Sequence, residues 1–198
     1  MAARDRGPGF TRGLAAAVLV GVLAGCLLPK PPPSPRYFAP IGGTPEPQGP
    51  PVAVQIGVVR SPVYLREPMT WRRSDVEYGF YDQRRWTELP ATYVEQALVR
   101  ELSPEATSSR RELPVLTTSL RAFDEVLSPV HEARVALAVE LVDGRCVRLR
   151  RTIAAATPLS TSDPTAVARG IGEALDQVVG EVGAAVRSAL AERTRCDA

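Results

Sequence analysis

The sequence predicts an α+β fold: a mostly antiparallel sheet with two main helices packed on one face, preceded by a signal peptide and a proline-rich linker. Three observations predict it. Apolar residues alternate over strand-length runs at Val52–Val59, Val115–Phe123, His131–Val142 and Cys146–Ala154. Two other stretches, about Thr87–Leu102 and the run after Asp163-Pro164, repeat apolar residues every three or four positions, the period of a helix with one buried face. The order is strands, helix, antiparallel strands, helix, which leaves both helices to cover one face of the sheet.

Taken along the chain, residues 1–25 read as a secretory signal peptide. Arg4, Arg6 and Arg12 precede the uncharged run Gly13–Gly25, which is shorter than the roughly 20 apolar residues a membrane-spanning helix needs. Leu23-Ala24-Gly25-Cys26 looks like a bacterial lipobox, with cleavage between Gly25 and Cys26. Cys26 would then carry a thioether-linked diacylglycerol and an N-acyl chain, and about 0.8 kcal/mol per buried methylene makes three chains a firm anchor. An ordinary signal peptide with an incidental cysteine, or an uncleaved anchor, is the plainer alternative. Leu27 stands where an aspartate tends to mark inner-membrane retention, which favours the outer membrane.

Ten of the 19 prolines fall in residues 27–51. Proline lacks a backbone donor and disfavours helix, so residues 26–51 read as a lipidated cysteine and an extended tether with a reach of up to roughly 75 Å. Only Tyr37-Phe38 looks able to dock on the body.

The domain is expected over 52–193, with a short tail at 194–198. Val52, Val54, Ile56 and Val58 share one face of the first strand. Short extended pieces follow at Pro62-Val63-Tyr64-Leu65, Pro68–Arg72 and Val76–Tyr81. The first helix presents Tyr93, Val94, Ala97, Leu98 and Leu102, with Pro90 in its first turn, where no intrahelical donor is lost. A polar loop comes around Thr107–Glu112. The next strand sets Leu116, Thr118, Leu120 and Ala122 against Val115, Thr117, Ser119 and Arg121. Val135, Leu137, Val139 and Leu141 face one way, Asp143-Gly144 signals a hairpin, and Val147, Leu149 and Ile153 return inward, with Cys146, Arg148, Arg150 and Thr152 outward. Asp163 caps the last helix, whose stripe is Val167, Ile171, Leu175, Val178, Val182, Val186 and Ala189.

Composition narrows function. The formal net charge is +2, and removal of residues 1–25 leaves 21 basic and 21 acidic residues, so nothing suggests a nucleic-acid partner and tethering rests on lipid rather than on charge. One histidine and three cysteines give little for a zinc site, and no metal or cofactor beyond the acyl chains is expected. His131 reads as a solvent-facing strand residue rather than a metal ligand. No glycine loop, nucleophile elbow or pocket signature accompanies Asp124-Glu125, so no catalytic residue is assigned. Arg145, Arg148, Arg150 and Arg151 form a basic patch, Arg148 and Arg150 on one face: a solvated face, or a contact for an anionic headgroup or acidic partner. Cys146 and Cys196 remain once Cys26 is acylated, and a periplasmic setting would allow them to bridge.

Two segments resemble signatures of the ABC-type transport auxiliary lipoproteins. Val58–Arg72 contains Pro62-x-Tyr64-Leu65-x-x-Pro68 before a strand ending in arginine, which the resemblance makes edge-like. Arg85-Trp86-Thr87-Glu88-Leu89-Pro90 resembles the second, with threonine for alanine and the last pair exchanged. The likeness extends over roughly residues 37–192. It implies a non-enzymatic outer-membrane lipoprotein facing the periplasm that works with proteins bearing mammalian-cell-entry (MCE) domains, and with ABC transporter components, to move lipids or other hydrophobic molecules; a homo-oligomeric ring is a further implication. The alternative is an envelope-assembly lipoprotein binding an outer-membrane β-barrel.

For the motif residues the expectation is mainly structural. Tyr64 and Leu65 fold under a turn opened by Pro62, and Pro68 blunts a strand edge. Trp86 anchors the core, and Glu88 sits at a positive helix end. In the other reading Arg85-Trp86 belongs to a partner-binding surface.

Overall fold

The computed structural model describes residues 33–42, 46–102 and 113–192. The signal peptide, Cys26, the loop at 107–112 and Cys196 lie outside the described residues. A compact unit runs from Pro35 onward.

Seven strands form one sheet: β1 Arg36–Phe38, β2 Gln55–Ile56, β3 Pro68–Arg72, β4 Tyr78–Trp86, β5 Val115–Val126, β6 Glu132–Asp143 and β7 Cys146–Pro158, in the order β1-β4-β3-β5-β6-β7 with β2 also pairing β5. The helices are α1, Pro90–Leu102, and α2, Pro164–Ala191. The α+β architecture is the one expected. The long β5-β6-β7 pairs are antiparallel, whereas β1-β4, β2-β5 and β3-β5 are parallel.

Both helices join the sheet in one apolar cluster. α2 buries Val167, Ile171, Leu175, Val178, Val182, Val186 and Ala189, the predicted stripe, and α1 buries Val94, Ala97, Leu98 and Leu102. Asp163 caps α2 by accepting from the amides of Thr165 and Ala166 at 2.9 and 3.2 Å, with Pro164 next. The hairpin turns at Gly144, whose φ of 61° a side chain would oppose.

Several expectations need correction, most of them through single-residue slips. β2 is two residues long, and Val58 is 80% exposed while Val59 is buried. Ile56 aligns with Leu116 but Arg60 with Ser119, so one extra residue lies between, and it reverses the alternation. β7 slips in the same way: Leu141 faces Leu149 and Val142 faces Val147, so Arg148 is bulged and Val147 turns out to 48% exposure. That bulge also separates the two arginines. Arg148 pairs with Asp143 and reaches the Glu192 carbonyl beyond α2, whereas Arg150 pairs with Glu140. β3 is an interior strand, between β4 and β5, rather than an edge. Pro68 occupies its first residue, where a missing donor costs least.

The proline-rich stretch belongs in good part to the body. β1 pairs with Arg84–Trp86, as Tyr37-Phe38 suggested, and the chain then crosses α2. A Cβ on Gly172 would collide with the backbone of Ile41 and Gly42, so only glycine lets this strap lie so close. Farther on, Gln48 donates to Glu101, and Arg187 donates to the carbonyl of Pro50 while pairing with Glu101 at 2.8 Å. Glu101 is only 5% exposed, and its partners from α2 and the strap compensate its burial.

Candidate functional site

The segment after β2 leaves the sheet and returns. Arg60 aligns with Ser119 and Thr70 with Asp124, so residues 61–69 loop out where the strand could have continued along β5. The loop is held at both ends. Leu65 N–H closes a turn onto Pro62, the Ser61 hydroxyl donates to Leu65, and Trp86 N–H donates to Glu67 at 2.6 Å. Leu65 is buried under the turn as expected. Tyr64 is partly buried against the same core, its ring 4.9 Å from that of Tyr78 and its hydroxyl donating to the carbonyl of Arg121 at the β5 bulge.

Trp86 is a core anchor, 2% exposed, with its ring edge-on to Phe123 at 5.3 Å. Arg85 is half-buried and aligns with Tyr37 and Pro68. Glu88 accepts from Gln96 farther along α1, and the Tyr93 hydroxyl takes up the Glu88 amide. The two sequence signatures therefore meet. Ser61, Pro62, Val63, Leu65 and Pro68 from the loop and Leu89 and Ala91 from the start of α1 line an open cleft of about 590 Å³. At its rim Val63 is 76% exposed and Leu89 49%.

A second cluster went unseen in the sequence. Glu125 is fully buried; it accepts from the Tyr81 hydroxyl and meets His131 Nε2, both at 2.7 Å. His131 is thus half-buried and partnered rather than facing solvent. Burial first, then the hydrogen bond to Glu125, raises the Tyr81 phenol above its ordinary value, against the opposing charge of Arg84, which stacks on that ring at 4.0 Å. Ser162 also approaches Nε2, at 3.4 Å. Serine and glutamate meet the same ring nitrogen, so the trio lacks the relay in which one nitrogen faces the nucleophile and the other the carboxylate. It ties β4, β5, the start of β6 and the approach to α2 together. In the sequence only the single histidine and the Asp124-Glu125 pair pointed to it.

On the other side of the sheet, Asp124 pairs with Arg72 at 2.9 Å and Arg134 at 3.6 Å. Burial lowers the Arg72 pKa, but the hydrogen bond and charge of Asp124 outweigh it and leave the guanidinium above its ordinary value. Among the described residues no group of three or more His, Cys, Asp or Glu could hold a metal ion. Cys146 is disulfide-bonded, and Cys26 and Cys196 both lie outside the described residues.

A family model described as the ABC-type transport auxiliary lipoprotein component matches residues 39–183, a span that includes the loop, the cleft and both helices up to Gly183. The chain belongs to this family. A crystal structure of a DUF330 protein from Xanthomonas campestris has a similar fold, with 22% identity and a TM-score of 0.67, covering 78% of this chain and 96% of that one. A solved structure of an uncharacterized protein matches with 12% identity and a TM-score of 0.56, over 80% of this chain and 100% of the other. No curated protein matches the sequence. Membership makes the chain a transport auxiliary lipoprotein, a component of the cell envelope.

Proposed function

We propose that this protein is a non-enzymatic, lipid-anchored periplasmic component of an intermembrane system for lipids or other hydrophobic molecules, and that the motif cleft is where an MCE-domain partner docks. The observation that carries this reading is the convergence of both signature segments on one open cleft. Leu65 lines it from the core side, the Trp86 amide holds the loop at Glu67, and Val63 and Leu89 stand apolar at its rim. Rigid support below and exposed apolar side chains above are what a protein-docking surface requires.

The strap sharpens the anchoring side. With Cys26 acylated and the compact unit starting at Pro35, nine residues of leash remain. Even fully extended, at about 3.3–3.6 Å per residue, nine residues span no more than roughly 32 Å. A body on so short a leash stays beside the periplasmic face of the outer membrane and leaves the distance to the inner membrane to its partners. The same reading has Cys146 bridged to Cys196, with Cys26 reserved for lipid.

Purification from cells with native lipids retained tests the proposal. An MCE-domain protein, with or without ABC transporter subunits, is expected to copurify, and Val63→Asp should reduce its recovery. Copurification of a β-barrel without any MCE protein would replace this reading by one in envelope assembly. Intact mass under non-reducing conditions should show acyl chains on Cys26 as the first residue and no free thiol.

A further inference from the structure

We infer that the helix-free face of the sheet carries a binding site for the phosphate of an anionic phospholipid headgroup, built on Arg60 and Arg121. Cross-strand register places Arg60 opposite Ser119, and Arg121 is two residues farther along β5 at the bulge. Both arginines are exposed, and among the described residues neither has an ion-pair partner. Two like charges flanking one hydroxyl repel each other, and an anion between them relieves that repulsion.

The surroundings suit a phosphate. Ser119 aligns with Ala138 and Ala138 with Thr152, while Thr117 aligns with Glu140 and Glu140 with Arg150. The result is a groove of about 360 Å³ whose floor is made of small residues, three of them bearing hydroxyl donors. Glu140 is the acidic side chain of this groove, and Arg150 already holds it at 2.7 Å, so the charges of Arg60 and Arg121 remain uncompensated. Guanidinium forks match phosphate oxygens in pairs. The choice of a lipid as the source rests on the anchoring proposed above, because a short leash keeps this face near headgroups.

The full-length protein in a neutral detergent, titrated calorimetrically with dihexanoyl phosphatidylglycerol, tests the site whether or not Cys26 proves to be acylated. The expected result is saturable binding that Arg60→Ala with Arg121→Ala weakens at least about tenfold, since each lost charge-assisted hydrogen bond is worth of that order. Arg60→Lys with Arg121→Lys should fall between, and Arg145→Ala should bind as the parent does. Should the alanine pair fail to fold, the lysine pair decides. Equal binding by the parent and the double variants would overturn the site, as would equal affinity for dihexanoyl phosphatidylcholine. Inorganic phosphate binding as tightly as the lipid would overturn the lipid source, and preferential binding of an oligoglutamate peptide would overturn the phosphate assignment.

Discussion

The two halves of this sheet are built differently. From Val115 onward, β5, β6 and β7 form a meander of 12, 12 and 13 residues covered by the 28-residue α2, and neighbours in space are neighbours in sequence. Before α1, β3 and the nine-residue β4 pair locally as an antiparallel hairpin. Yet β1, β2 and β3, of three, two and five residues, also reach distant partners in parallel pairs, with a strap and a loop between them. The first arrangement makes a stable slab. The second stitches an irregular edge to it, and the family signatures and the cleft lie in that stitched part. A regular half supports an irregular half, and the cleft proposed for docking lies on the latter.

The contrast can be broken most severely where the halves meet. Trp86→Ala removes the ring that joins β4 to Phe123 of β5 and should cost about 3–5 kcal/mol, read as a large drop in unfolding midpoint. Gly172→Ala is the next test and the more selective one. The new methyl must lift the strap, at about 1–3 kcal/mol, and hydrogen exchange should rise at Ile41, Gly42 and Gln48 while β5–β7 stay protected. Uniform loosening of the whole molecule would mean the strap is not a separable attachment.

In the slab, Asp163→Ala should cost about 1 kcal/mol by uncapping α2 without affecting the strap, measured by denaturant unfolding. The smallest effect is expected at Asp176, under the strap. Burial, and then Glu173, raise its pKa against the attraction of Arg100. A carboxyl with a raised folded pKa holds its proton more tightly when folded, so its charge costs stability as pH rises from its ordinary value through the raised one. Asp176→Asn should therefore stabilise slightly at neutral pH, by no more than about 0.5 kcal/mol, and the gain should vanish below the ordinary carboxylate range.

Legibility followed the same division. The stripes of both helices, the inward face of β6 and the Asp163-Pro164 cap could all be read because one local period governs each. Val58 and Val147 could not. Each sits beside a one-residue slip set by a partner strand, and such a slip flips every side chain beyond it. The strap looked like a spacer because proline content reports the lack of local structure, while its attachment depends on a glycine in α2 more than a hundred residues away. In the sequence Glu125 is only one of an acidic pair, since its partners Tyr81 and His131 come from different elements. The motif residues were legible as motifs, but their common cleft appears only when Glu67 meets Trp86.

The account's central claim, that contacts with the transport machinery gather on the stitched half, is tested most directly by site-specific photo-crosslinking in cells. A crosslinker at Val63, on the cleft rim, is to be compared with one at Val130, which is 56% exposed beside the slab. The account predicts capture of an MCE-domain protein from position 63 and none from position 130. Capture from 130 with none from 63 would contradict it.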